Sequence, residues 1–453
     1  MLNHPNFTSL LSKQRGAVTL LVAVLLLASV LVLSLTSYKG VFFQTKRAQN
    51  EIEARQLHWK GEGRLECVMA KVSDNSSVLP TTIAYSECDQ PTSIAVVRQG
   101  SSNLYRVESN ENGYKVIKII RVPSVGAMGA LSANADVYFI GSYSFNPQPL
   151  DMKESGKPSC VSVKYSKSLY LAPNTPESLL DTQSIQTPSM VNVECDSNFK
   201  TNVRTVSVTK QLYEEKDNLD SASDSLPEEV EFQGDYVFER NFQPFEDLFG
   251  APLAELDSIK DEFEVISGGR CDFYSNGTSV INPSDCQCDK NIAASIDAGK
   301  KLIWVNGDCD LGLGSKISLA DISTGREGII VVVYNGLLSS EGSVPFNGVL
   351  YQLYTNSAAP SLTQWDGLTG NTWANSTYSD IGEVPVMYLS GSYIPDGLVV
   401  IDAPDQLAVF QGSIKFSYNK SKIENPLGQL LKPKWLKGSW NNVMDPPFYT
   451  ASQ

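Results

Sequence analysis

The sequence predicts an α+β chain that is mostly β. It has one long N-terminal transmembrane and stalk helix, an antiparallel β-rich region, and a C-terminal right-handed parallel β-helix. Three observations predict this. The nineteen residues from Ala17 to Leu35 are apolar and uncharged and contain no Pro or Gly. Short β-rich runs separated by turn residues fill the chain from about Val78 onward. In the last third the runs begin near Leu302, Ile329 and Val349, at intervals of 27 and 20 residues, a spacing that fits coils stacked on coils. An ordinary β-sandwich is the alternative, because the loop lengths vary.

The apolar segment would span about 28 Å as a helix, close to the hydrocarbon core of a bilayer. A secretory signal has a shorter apolar core and an A-x-A-like site, and no such site follows. The next stretch, from Ser37 to Gly63, still reads as helix, and no Pro occurs from there up to Pro80. Ile52, Leu57 and Trp59 interrupt its polar run, so one face is expected to pack on a domain. The 453 residues carry a net charge of −14, which disfavours nucleic acid as a partner.

Beyond the stalk, Asn112-Gly113 between two β-rich runs signals a hairpin. The runs "ADVYFIGSYSF", "SCVSVKYSKSLYL" and "NVRTVSVT" extend the antiparallel reading. The stretch from Gln211 to Asp235 is acidic and Ser-rich and reads as a linker. The final "NPLGQLLKPKWLKGSW" is amphipathic enough to cap an open solenoid end. The expected divisions are 1–16, 17–70, 71–210, 211–235 and 236–453.

All eight cysteines, Cys67, Cys88, Cys160, Cys195, Cys271, Cys286, Cys288 and Cys309, lie beyond the apolar segment. An even count there favours disulfides in an oxidising compartment. Zinc is the rival, but no C-x-x-C pair occurs and C-Q-C is tight for a zinc site. A Cys67–Cys88 bond would fix the helix to the sheet, worth about 3 kcal/mol in the chain-entropy description.

Catalytic groups are sparse. The two histidines are His4 and His58, too few for a His-rich metal site or a zinc protease motif. Parallel β-helices often host polysaccharide hydrolases, so Asp308, Asp310 and Asp321 are the carboxylates to test, with Lys300, Lys301, Lys316 and Arg326 nearby in sequence. A glycosidase needs two carboxylates at a set separation, whereas Asp and Asn also suit turns. "NGDCDLG" fails as an EF-hand loop, because Gly312 falls seventh and Ile317 twelfth. "GLGSK" lacks the first glycine of a P-loop. Trp365, Trp373, Tyr378, Tyr388 and Tyr393 cluster in a polar insertion that fits either a binding surface for a glycan or protein or a buried flap. No catalytic residue, metal or cofactor is expected.

The run "KQRG" followed by "AVTLLVAVLLLASVLVL" resembles the leader and N-terminal helix of type IV pilins, and more narrowly minor pilins with a PilX-type N-terminal region. The resemblance covers about 55 residues. It implies that a prepilin peptidase cuts between Gly16 and Ala17 and methylates Ala17. It implies an inner-membrane protein with a periplasmic C-terminal region that later joins other pilins at the cell surface. Most major pilins carry Glu at the fifth mature position, where this chain has Leu21. A subunit without that carboxylate cannot neutralise a neighbour's buried amine, which implies a place at the filament tip, in initiation or adhesion. The alternatives are a tip pseudopilin of a type II secretion system, a plain signal anchor, and a membrane-anchored β-helix carbohydrate-active enzyme.

Overall fold

The computed structural model describes residues 11–444 apart from 75–87, 89–93, 99–103, 112, 123–124, 172–178, 188–189, 205–209, 214–231, 276–278, 314–315, 318–327, 343–344, 376–381, 429, 431 and 437. The chain forms two compact units, Met1–Ile120 with Trp435–Gln453, and Arg121–Lys434.

The first unit is built on one helix, Leu11–Asp74, of 64 residues, about 96 Å long at the usual rise. From Val18 to Glu53 every residue is exposed. Packing begins beyond that point. Leu57 is half-buried, and Gly61, Arg64, Leu65, Val68 and Val72 are buried, a spacing of three and four that makes one stripe. Ile52 and Trp59, expected on that stripe, are instead 56% and 70% exposed. At ~100° per residue they lie on the side of the helix opposite Gly61, Leu65 and Val68. Gly61 sits where a Cβ would come within 2.7 Å of Val116, so the missing side chain lets helix and sheet approach closely.

The sheet of this unit is antiparallel, as expected. Ile94–Arg98 pairs with Leu104–Glu111, and Asn441–Met444 pairs with Tyr114–Arg121. Leu104–Glu111 and Tyr114–Arg121 are neighbours on either side of Gly113, whose φ of 82° suits a tight hairpin. Cys67 is bonded to Cys88.

In the second unit the strands of the main ladders run parallel. One ladder passes through Glu264–Gly269, Leu302–Asp310, Ile329–Tyr334, Pro345–Leu353, Ile394–Tyr418, Leu131–Asn146, Val163–Tyr165 and Tyr236–Phe238. A second passes through Leu302–Asp310, Leu338–Gly342, Pro385–Gly391, Ile394–Tyr418, Leu131–Asn146 and Leu169–Leu171. Ile394–Tyr418 is long enough to join both, so six parallel strands close on themselves like a barrel. The core between them is apolar, with Trp304, Tyr351, Phe139 and Phe346 almost fully buried.

Two expectations change here. The region 131–182 is parallel to its main neighbours, so the antiparallel reading holds beyond Arg121 only for short flanking pairs such as 148–152 with 158–161, 179–182 with 202–204 and 185–187 with 190–193. The contacts also divide the chain at residues 121 and 435 and do not separate 71–210 from 236–453. The reason is a seam between the two parts. Leu131–Asn146 lies in register along Ile394–Tyr418, from Leu131 opposite Val399 to Asn146 opposite Ser417. Phe139 stacks on Phe410 and Phe145 on Phe416, with ring centroids 5.7 and 5.0 Å apart. The Tyr143 hydroxyl donates to the Phe410 carbonyl at 2.7 Å.

A column of glycines crosses the seam. Gly342 pairs with Gly391, Gly391 with Gly412, and Gly412 with Gly141. Their φ values are 120°, 112°, 109° and 130°, a region that favours glycine. Each is followed by Ser in the sequence.

The described flanks of the acidic stretch are packed rather than linker-like. Lys210–Tyr213 pairs antiparallel with Leu169–Leu171. Asp235 is fully buried and accepts from the Thr182 hydroxyl and from both the amide and hydroxyl of Thr201. Residues 214–231, the bulk of the expected linker, lie outside the described set. The C-terminal stretch is not an end cap. Helix Lys420–Leu427 buries Ile423 and Leu427 in the core against 329–334, 345–353 and 394–418. Beyond it, Leu436 donates to the Ile119 carbonyl and Trp440 to Glu62. Helix Gln287–Asp297 instead packs on the outermost ladder strands, with Ile292 and Ile296 buried and Asn291 donating to the Ser267 carbonyl.

Candidate functional site

From Val18 to Leu35 the exposed part of the N-terminal helix is an uncharged, mostly apolar surface. Leu20, Leu27, Leu31 and Leu33 are each 59% exposed or more, and Leu21 is 62% exposed. This is the one described helix long and apolar enough to cross a membrane. Gly16 and Ala17 lie within it, so the expected cleavage point falls inside the helical run.

The packed half is held to its sheet by ion pairs. Arg64, almost fully buried, and Lys60 both reach Glu111, and Lys118 bridges Glu62 and Glu66. Hydrogen bonds from Lys60 and then Arg64 hold the Glu111 carboxyl below its usual range. Burial works to raise Glu62, but the hydrogen bonds from Lys118 and Trp440 outweigh it, and its net shift is also downward. His58 contacts the edges of Trp59, Tyr114 and Trp440.

The candidate carboxylates on Leu302–Asp310 are engaged within the protein. Asp310 is fully buried and accepts from the amide of Gly312 and from the amide and hydroxyl of Thr369. Burial pushes its carboxyl up to about 6. Asp308 is ion-paired with Arg270 and accepts from the Leu337 amide. Lys300 pairs with Glu264, and the Lys316 amide donates to Asp289. Asp321 and Arg326 lie outside the described residues. A buried acid and an ion-paired acid two positions apart on one strand do not form an open pair that could flank a sugar.

Asp310 also lies beside Cys271 and Cys286. Those cysteines are bonded to each other, so they offer no thiolate to a metal. Cys160–Cys195 and Cys288–Cys309 are likewise bonded, and no described cysteine is free.

The insertion after Leu353 packs as a flap. Trp365, Leu368 and Ala374 cover Tyr138, Leu337, Tyr388, Leu407 and Val409. The Trp365 indole donates to the Pro385 carbonyl at 2.9 Å. Asp310 holds Thr369, Ser339 accepts from the Gly370 amide, and Arg270 donates to the carbonyls of Gln364 and Asp366. Of the clustered aromatics, Trp365, Tyr388 and Tyr393 are buried and Trp373 is 39% exposed. Tyr378 lies outside the described residues. Arg270 and Thr369, which fasten the flap, were not legible because the partners of Arg270 on the flap are 94 and 96 residues away and that of Thr369 is 59 residues away.

No family model, no curated protein and no solved structure matches this chain.

Proposed function

We propose that the chain is a minor pilin-like subunit of a type IV filament, stored in the inner membrane and later assembled with other pilins. One observation carries the reading. A leader ending in Lys13-Gln14-Arg15-Gly16 runs directly into a fully exposed apolar helix, which continues without a break into a packed stalk. That is the form needed by a subunit that exchanges lipid for neighbouring helices. The periplasmic side would hold the disulfides, in keeping with an oxidising compartment. We read the parallel ladders as coils of a right-handed β-helix that carries the specific role of initiation or adhesion. A non-catalytic role suits the buried Asp310 and the ion-paired Asp308.

Cleavage after Gly16 tests the reading. Intact-mass analysis is expected to show loss of residues 1–16 and a methylated Ala17 in a host with prepilin peptidase, and a full-length chain in a host without it. Gly16→Val should block the cleavage. An N-terminus that is the same in both hosts overturns the reading.

Leu21 supports a tip position. A neutral side chain leaves a neighbour's amine unpaired in an apolar shaft, a cost of several kcal/mol. Immunogold labelling is expected at filament ends only. Regular labelling along the shaft would contradict the tip position and leave the subunit assignment standing.

A further inference from the structure

The helix turns just beyond the apolar segment carry a second pattern. Tyr38, Phe42 and Phe43 are 70%, 50% and 69% exposed. Lys39, Lys46 and Arg47 are exposed among them. At ~100° per residue, these six side chains fall within about half of the helix circumference. The opposite side presents Gly40, Gln44, Ala48 and Glu51.

Charge along the chain sharpens the contrast. No Asp or Glu precedes Glu51, and the first fifty residues hold five cations: Lys13, Arg15, Lys39, Lys46 and Arg47. The net charge of the remainder is therefore −14 − 5 = −19. A cationic, aromatic collar thus lies between an uncharged span and a strongly acidic remainder.

We propose that this collar binds the anionic phospholipid headgroups of the leaflet on the C-terminal side of the span. The proposal rests on the membrane reading and specifies the lipid chemistry that holds the chain there. Lys39 lies about 6 Å along the axis from Leu35, and Phe42 and Phe43 about 11 Å. Tyr and Phe rings at that depth sit with their apolar bodies against the acyl boundary. Lys46 and Arg47 start about 17 Å out, but helical side chains lean toward the N-terminus. Their charged ends therefore reach back toward the bilayer, within about a Debye length of the headgroup layer. Each such cation adds attraction to an anionic surface. The acidic remainder is repelled by the same surface, so the collar is the part of the chain suited to contact it.

The test uses the full chain in nanodiscs of phosphatidylcholine alone or with about one third phosphatidylglycerol, a composition that supplies the anionic surface. Lysine acetylation is followed by mass spectrometry. Labelling of Lys39 and Lys46 is expected to fall at least threefold in the anionic discs and to recover in high salt. Lys420, at 66% exposed, should label equally in both. A chain carrying Lys39→Gln, Lys46→Gln and Arg47→Gln should lose its preference for anionic discs over zwitterionic ones in competition. Equal labelling of inserted chain in both discs overturns the proposal alone. Failure to enter either disc overturns the membrane reading with it.

Discussion

Gly141→Ala is expected to cost the second unit at least 4 kcal/mol, a loss seen only for severe core or backbone defects. A Cβ at Gly141 would lie 2.1 Å from the Gly412 carbonyl oxygen, in a backbone conformation with φ of 130°. The obstacle is backbone in a paired strand, so no side-chain rotation relieves it. The seam must open there or the glycine column must shift. Gly156→Ala supplies the comparison, because Gly156 also has a positive φ but nothing within 4 Å of its added Cβ. That variant should lose about 1 kcal/mol, the conformational part alone. Thermal unfolding of detergent-solubilised full-length protein checks both. Equal midpoints for the two variants would show that the contact at Gly412 is unimportant.

Acid is expected to strengthen the second unit, with Asp310 as a main contributor. Its carboxyl is raised to about 6 by burial, against an unfolded value near 3.8. The folded state therefore binds the proton more tightly. The stabilisation is complete below the unfolded value and is lost as pH rises through about 6. Between pH 7.5 and 5 the gain is on the order of 1 kcal/mol, and it grows further on full protonation. Burial also raises Asp136, Asp235, Asp289 and Asp402, which act with the same sign. Glu62 and Glu111 in the first unit are lowered, so that unit weakens as acid protonates them. Urea unfolding at pH 5, 6 and 7.5, followed by hydrogen exchange at 362–375, separates the two units. Asp310→Asn should flatten the pH dependence of those flap amides. A slope unchanged by that substitution would remove Asp310 as its source.

Much of the architecture was visible in short-range patterns. The uninterrupted run from Ala17 gave the exposed helix, and the apolar runs near 302, 329 and 349 gave parallel strands in mutual register. The packing stripe was misjudged because apolar character drew attention to Ile52 and Trp59, while the buried face uses Gly61 and Arg64. The seam was hidden by the acidic stretch, which looked like a boundary between two folds. Its signal was nevertheless present. Phe139-Ile140-Gly141-Ser142-Tyr143-Ser144-Phe145 and Phe410-Gln411-Gly412-Ser413-Ile414-Lys415-Phe416 share F-x-G-S-x-x-F, and both phenylalanine pairs stack across the seam. The partners of Cys271, Cys286, Cys288 and Cys309 could not be read, because four neighbouring cysteines allow several pairings and only the strand register selects one.

The seam also sets a timetable for biogenesis. Its paired residues are separated by 268 or 271 positions, so residues 131–146 emerge long before the strand that completes them. At usual elongation rates that interval is roughly 13 to 53 s. Throughout it, the first-made strands offer an unpaired edge to any passing chain. Such long-range closure also slows folding itself. Contact with another chain during that interval would yield aggregates nucleated at the open edge of residues 131–146. A chain truncated before Leu407 would keep the edge of residues 136–146 open, however intact its N-terminal helix and its first disulfide.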